Sequence, residues 1–268
     1  MTRRSEHRGS SAPEWSRARL LTLAAVGAVV TLALLAGLVL TVIAALTGDG
    51  RGAVEDAPQP SSAREMSRED ALAAASMPRA EPDDALPGPL ATEAAGVLEL
   101  PRPTGAGPAG LPTGFPRTPE GALAQLAAID VTAMESGSLD GVRQVIAEWA
   151  ASGGPTAQTW SGVEGMARLL SAAGLSGAGS PQLALVVRPV MGLIKGTVGA
   201  GFAVVCVNFE FTVTVEQTSR IAIADCQRMT WVGDRWLIGP GAEPAPAPSI
   251  WPGTEAAIAA GWRDLRYV

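Results

Sequence analysis

The chain has 268 residues and a net charge of −6, and only 4% of the residues are aromatic, whereas 31 are glycine and 21 are proline. This composition indicates that a sizeable part of the chain is linker, and the acidic balance excludes a generally basic nucleic-acid binder. The sole histidine, His7, lies in a polar N-terminal tail, and there are two cysteines. Serine–histidine–aspartate triads, cysteine–histidine pairs, histidine-ligated zinc and four-cysteine zinc sites are therefore excluded.

Residues 20–48 carry no charge and are mostly Leu, Val, Ala and Ile, a stretch long enough to span a membrane. Residues 1–19 contain five arginines against two glutamates, so we expect this basic tail to stay in the cytoplasm while the rest is translocated. The alternative is a cleaved signal peptide, whose apolar region is normally shorter. We predict a single uncleaved transmembrane helix over 20–48 in the cell membrane, with an extracytoplasmic C-terminal domain.

Residues 49–115 contain ten prolines, and eleven acidic residues against five arginines. The apolar residues are scattered and mostly alanine, so this stretch cannot bury enough surface to offset the entropy of ordering. We predict a disordered, acidic, Pro/Ala-rich tether over 49–115.

Residues 116–239 show the periodicity of a folded domain. Thr118 followed by proline and glutamate predicts the start of a first helix, and Ser138 predicts the start of a second. Ser161 and Glu164 form a capping-box pattern that predicts a third helix.

After the third predicted helix, the spacing of the apolar residues changes from the period of a helix to the two-residue alternation of a β-strand. Residues 183–190 predict an edge strand or a bulge at Pro189, and residues 203–215 alternate as a clear strand. Residues 220–232 and 235–239 follow, joined by a two-residue turn that sets Trp231 opposite Trp236.

Three helices followed by an antiparallel meander predict an α+β domain, with the helices packed on a curved antiparallel sheet. Residues 240–268 predict a Pro-rich hinge and a short helix capped by Thr254. This C-terminal region is too apolar to float freely, and we expect it to dock on the domain or on a partner.

The two cysteines fall opposite each other if the strands at 203–215 and 220–232 fold about a turn centred on residues 216 and 217. The numbers of two residues that lie opposite each other on these strands then sum to about 432. Cys206 and Cys226 satisfy this sum, so they lie on one face of the sheet at the separation that a disulfide needs. A disulfide persists in a translocated compartment. The alternative is two reduced cysteines in the sheet.

The same register turns Asp225 onto the apolar face of the sheet, where a buried carboxylate can have a raised pKa and act as a general base. The alternative is an acid paired with Arg188 or Arg220, or one that faces water at a bulge. Glu210 falls on the polar face, where we expect it to be solvated. No catalytic, cofactor-binding or metal-binding residue is assigned.

The order of these segments, together with "CQRMTWVGDRWLIGPG" at the end of the meander, resembles the bitopic inner-membrane scaffold components of type IV secretion and conjugation machines. Their extracytoplasmic domain is similar to the cone-like nuclear transport factor two fold, also called SnoaL-like. The motif from Trp231 to Ile238 looks like the last hairpin of that fold. The segments "FPRTPEGALAQLAAIDV" and "IWPGTEAAIAAGWRDL" look like membrane proteins of conjugative elements in high-GC Gram-positive bacteria.

The resemblance implies a non-catalytic, membrane-anchored assembly subunit of a conjugative DNA-transfer channel. Its partners would be other membrane subunits and further copies of itself, with no direct contact to nucleic acid and no cofactor. Accessory proteins of Mce-type lipid import systems look the same at this level. A SnoaL-like ligand-binding or enzymatic domain that uses Asp225 is the alternative from a different class.

Overall fold

The computed structural model describes residues 66–268, which lie within one compact unit. The predicted basic tail, the predicted transmembrane helix at 20–48 and the first part of the predicted tether lie outside the described residues. No helix between residues 66 and 268 is both long enough and apolar enough to cross a membrane.

A six-stranded sheet forms the centre of the unit, curled into a half-barrel. Its strands are β1 (Val97–Leu100), β4 (Ala184–Thr197), β5 (Phe202–Thr214), β6 (Thr218–Val232), β7 (Arg235–Ile238) and β8 (Arg263–Tyr267). The spatial order is β1-β8-β4-β5-β6-β7, and only the β1–β8 pair is parallel. A separate two-stranded sheet joins β2 (Gly105–Ala106) to β3 (Pro112–Thr113). The predicted α+β class with a curved, mainly antiparallel sheet is therefore confirmed.

Five α-helices accompany the sheet in the described residues: α1 (Arg68–Ala74), α2 (Pro119–Glu135), α3 (Leu139–Trp149), α4 (Ser161–Ala172) and α5 (Glu255–Ala259). Short 3₁₀ turns lie at Pro82–Ala85 and Pro108–Gly110. The predicted caps of α2 and α3 are confirmed, because the hydroxyls of Thr118 and Ser138 accept hydrogen bonds from backbone amides inside each first turn.

The start of α4 differs from the capping box predicted at Ser161 and Glu164. Trp160 occupies the N-cap position and supplies no side-chain cap. The amide of Ser161 instead donates to Glu243 Oε1 at 2.9 Å. A carboxylate from a distant segment thus satisfies the helix terminus, which a local sequence pattern does not reveal.

The main core lies between α2 and the concave face of the sheet. Leu123, Leu126 and Ile129 of α2 and Val205 and Val207 of β5 are all fully buried in it. The apolar face predicted for the strand at 203–215 is therefore the face that packs on the helices. Pro189 does not make β4 an edge strand, since β4 lies between β8 and β5, but a bulge follows it as predicted.

Residues 66–115 are ordered, so the prediction of a disordered tether over 49–115 is wrong for this part. The Lys195 ammonium donates to the carbonyls of Ala73 and Ala75 at the C-terminal end of α1. Arg228 Nη1 lies 2.7 Å from Asp70 Oδ1. A hydrogen bond from the Ser67 side chain, together with this ion pair, lowers the pKa of Asp70.

The partners of this N-terminal segment come from the far end of the sequence. Strand β1 pairs with β8, so that Leu100 lies beside Tyr267. Leu100, Leu111 and Phe115 are buried in the main core. A few anchoring side chains and one long-range strand pair are enough to order a segment whose average composition is typical of a linker.

The C-terminal residues dock on the domain itself. The predicted helix begins after Thr254, whose hydroxyl accepts from the amide of Ala257. Trp262 is 1% exposed and donates to the carbonyl of Pro248. Together with Ile250 it packs over the disulfide region on the outer face of the sheet.

The face of β5 that the sequence predicted to be polar is not fully open to solvent, because other parts of the chain pack on it. Asn208 is fully buried and donates to the carbonyl of Ile250 at 2.6 Å. The Glu210 side chain is only 12% exposed and forms an ion pair with Arg220, so it is not solvated as predicted.

The predicted strand register is confirmed. Cys206 lies opposite Cys226 and forms a disulfide with it. Trp231 lies opposite Trp236, with ring centroids 5.4 Å apart in an edge-to-face arrangement.

Removal of the disulfide by the double substitution Cys206→Ala/Cys226→Ala should destabilise the domain. The bond closes a loop of 20 residues, for which the chain-entropy argument gives roughly 3 kcal/mol. Denaturant unfolding of the variant and of the reduced wild-type chain measures this loss. An unchanged unfolding midpoint in both samples would contradict the expectation.

Candidate functional site

A cavity of about 380 Å³ lies between helices α2 and α4 and strands β5 and β6. Strand β7 pairs only with residues Met229–Val232 of β6, so residues 223–226 of β6 have no strand beside them on that side. The segment 243–249 contributes the remaining wall. The walls are largely apolar and include Met134, Leu169, Phe209, Phe211 and Ile223.

Asp225 lies in this cavity, on the inner face of β6 as the sequence predicted. Its Oδ1 accepts a hydrogen bond from Gln227 Nε2 at 3.2 Å, whereas its buried Oδ2 has no hydrogen-bond partner in the part of the chain that the structure describes. The predicted alternative of an ion pair with Arg188 or Arg220 is not found. Arg220 is engaged by Glu210, and within residues 66–268 Asp225 forms no ion pair.

The surroundings of Asp225 raise the pKa of its carboxyl group. Burial raises its pKa to about 7, and the nearby charge of Glu243 adds to the rise, while the hydrogen bond from Gln227 opposes it. The carboxyl group is therefore poised to gain or lose a proton near neutral pH, which a solvated aspartate does not do.

Asp130 of α2 is a second carboxyl group in the same cavity. It is only 5% exposed, and no described residue forms a hydrogen bond with its Oδ2. Burial, together with the charges of Asp225 and Glu243, raises its pKa well above the usual value. An uncompensated carboxylate in such a place is costly, so burial favours the protonated form of Asp130, whereas a counter-charge from a ligand favours the ionised form.

Sequence reasoning missed Asp130, although a signal was present. Asp130 is one turn after Leu126 and one turn before Met134, so it lies on the stripe of α2 that faces the core. A charged residue on the apolar stripe of a helix is rarely buried without a reason. Its partner Asp225 is 95 residues away and becomes a neighbour only in the folded chain.

Hydrogen bonds tie the segment 243–249 to the rest of the domain. Glu243 accepts from the amide of Ser161, and the amide of Ala245 donates to the carbonyl of Ala73. The hydroxyl of Ser249 accepts from the amide of Ala224 in β6 at 3.0 Å. The sequence predicted a hinge here, but the folded chain uses these residues as a strap that forms one side of the cavity.

The polar groups of the cavity are suited to binding protons, hydrogen-bond donors or an organic cation. Arg168 also lines the cavity, but its guanidinium is engaged by Glu164 on the exposed side of α4. Among residues 66–268, no group of three or more His, Cys, Asp or Glu side chains is placed to hold a metal ion.

Comparisons of the chain with protein-family models, with curated proteins and with solved structures give no match.

The substitution Asp225→Asn should stabilise the domain at about pH 8 and have little effect at about pH 4. The pKa of Asp225 rises from 3.8 to about 7 on folding, so its contribution to stability is present below about pH 4 and is lost as the pH rises through about 7. The asparagine variant avoids this loss, which is on the order of 4 kcal/mol.

Denaturant unfolding across this pH range measures the effect, with Asp234→Asn in the exposed β6–β7 turn as the control of equal charge. Parallel stability profiles for wild type and Asp225→Asn would contradict the raised pKa.

Proposed function

We propose that this protein is a membrane-anchored, extracytoplasmic binding protein whose folded domain takes a small, largely apolar ligand into the cavity between α2, α4 and the sheet. The observation that carries the proposal is the pair of unpartnered carboxyl oxygens, on Asp130 and Asp225, inside a cavity with mainly apolar walls. Folding leaves these groups without compensation, at a cost in stability. A ligand that satisfies them explains why such a cost is tolerated.

The walls of the cavity give the proposal its second support. Small-molecule sites are typically concave and apolar, with a few convergent polar groups, and the volume of about 380 Å³ falls within the range of such sites. The proposal concerns binding rather than turnover. An enzyme that uses Asp225 as a general base is the alternative, and it requires Asp225→Asn to abolish turnover in a folded protein.

The placement outside the cytoplasm rests on the sequence. The uncharged stretch at 20–48 follows a basic tail, which favours a cytoplasmic N-terminus. The disulfide between Cys206 and Cys226 is compatible with an oxidising compartment. A periplasmic-type reporter enzyme fused after Val268 should be active, and activity of a cytoplasmic reporter alone would overturn this orientation.

Assembly into a conjugative or Mce-type membrane complex is the second candidate function. It is favoured by the order of the segments, with one apolar stretch ahead of a single folded domain, and by the resemblance of that architecture to SnoaL-like scaffold subunits. Light scattering of the solubilised full chain tests it, with homo-oligomers expected. A monomeric full chain that co-purifies with no other membrane subunit would contradict it.

The substitution Gly165→Leu should block the cavity and leave the fold intact. Gly165 lines the cavity from α4, and a Cβ atom at this position meets no other atom within 4 Å. Leucine therefore fits at this exposed position and adds bulk to the α4 wall of the cavity, and it also favours the helix by roughly 1 kcal/mol relative to glycine. The matched control is Gly165→Ala, which gains the same helical preference while adding a single carbon.

The readout is the methyl resonance of Met134 in the isotope-labelled full chain, because Met134 lies in the cavity wall. Titration with phenylbutanol, a neutral apolar probe, should shift this resonance to saturation in the wild type and in Gly165→Ala but not in Gly165→Leu. An unresponsive Met134 in the wild type, or an equal response in Gly165→Leu, would overturn the proposed site.

A further inference from the structure

The polar lining of the cavity is acidic. Asp130 comes from α2, Asp225 from β6 and Glu243 from the strap, while Arg168, the one cation that residues 66–268 contribute to the lining, is engaged by Glu164. Glu243 is itself occupied by the amide of Ser161. The cavity groups that find no hydrogen-bond partner among residues 66–268 are therefore Oδ2 of Asp130 and Oδ2 of Asp225.

We propose that the ligand of this cavity is an organic amine whose ammonium group binds at Asp130 and Asp225 while its apolar body packs against Phe209, Phe211 and Leu169. This inference rests on the proposed function, and it specifies the chemical class of the ligand. Asp130 is the key residue, because it is more than nine-tenths buried and still presents an unpartnered oxygen to the cavity.

An ammonium group satisfies both carboxyl groups at once. Its N–H donors supply the missing hydrogen bonds, and its charge compensates the carboxylates in a place that water hydrates poorly. A neutral alcohol supplies one donor and no charge, and a carboxylate adds a like charge beside Asp130 and Asp225. The order of affinity is therefore amine, then alcohol, then acid.

The walls favour an organic cation over a metal ion. Hard cations such as Ca²⁺ and Mg²⁺ prefer six or more oxygen ligands, whereas the carboxyl groups here are surrounded by Met134, Leu169, Phe209, Phe211 and Ile223. Aromatic faces also attract ammonium groups. An amine with a phenyl or short alkyl body matches both parts of the lining.

The charged groups of the cavity give the binding a distinct proton signature. Burial and the charge of Glu243 raise the pKa of Asp225 to about 7. Burial and the charges of Asp225 and Glu243 raise the pKa of Asp130 as well, so both carboxyl groups bind protons more readily than solvated aspartates do. An incoming ammonium competes with those protons, so binding releases protons and tightens as the pH rises from about 6 to about 8. The other charged groups of the lining already have partners: Arg168 is paired with Glu164, and Glu243 accepts from the amide of Ser161.

The experiment compares phenylbutylamine, phenylbutanol and phenylbutyrate, which share one apolar body and differ only in the head group. Each is titrated into the full chain while the Met134 methyl resonance is followed. At about pH 7.5 we expect the amine to bind about ten-fold or more tightly than the alcohol, as a charge-assisted hydrogen bond allows. Calorimetry in two buffers of different ionisation enthalpy should show proton release for the amine alone.

The substitutions Asp225→Asn and Asp130→Asn should each reduce the preference for the amine to within about three-fold of the alcohol, and the proton release should fall with it. Asp234→Asn in the exposed turn is the matched control and should keep the full preference.

The possible outcomes separate the two proposals. If the alcohol binds as well as the amine, or the acid binds best, the amine inference is overturned while the cavity remains a binding site. If none of the three shifts Met134, both the binding site and the inference are overturned. If Mg²⁺ or Ca²⁺ produces the same shift as the amine, the site binds cations in general and the inference is overturned.

Discussion

The pairing of β5 with β6 is the constraint on which the rest of the domain depends. Side chains alternate between the two faces of a strand, so a shift of one residue would exchange the faces. The disulfide between Cys206 and Cys226 holds one register. With these cysteines on the outer face, Asp225 and Ile223 lie on the inner face beside Val207 and Phe209. The same pairing therefore determines both where the core forms and where the acidic cavity opens.

The two carboxyl groups of the cavity, on Asp130 and Asp225, affect both the stability of the domain and the proposed ligand binding. The domain places two carboxyl groups where their charged forms are poorly hydrated, and it provides neither with an internal counter-charge. At low pH they accept protons and the cost is small, whereas at higher pH the cost grows. A cationic ligand would remove this cost, so that ligand binding and domain stability are linked. The strap at 243–249 strengthens the effect, since Glu243 adds a negative charge as it anchors α4.

Much of the fold could be predicted from the sequence because the signals are local. The caps at Thr118 and Ser138, the alternation along β5 and the turn between Trp231 and Trp236 each depend on neighbouring residues. Of the two buried acids in the candidate site, Asp225 could also be predicted, because the strand register determines which face of the sheet it lies on. Asp130 did not, because its role depends on a neighbour 95 residues away. Nor did Glu243, since a carboxylate in a proline-rich segment shows nothing of the helix terminus that it caps.

The sequence by itself determined the class of the domain, the register of its central hairpin and the disulfide, because period-two alternation and turn length are properties of short stretches of chain. Only the tertiary structure decided what covers the outer face of the sheet and what surrounds the buried acids. Residues 66–115 have the composition of a linker, yet they pack on the sheet, where β1 pairs with β8. Average composition predicts the entropy cost of ordering a segment, whereas the gain depends on partners that only the folded chain brings together.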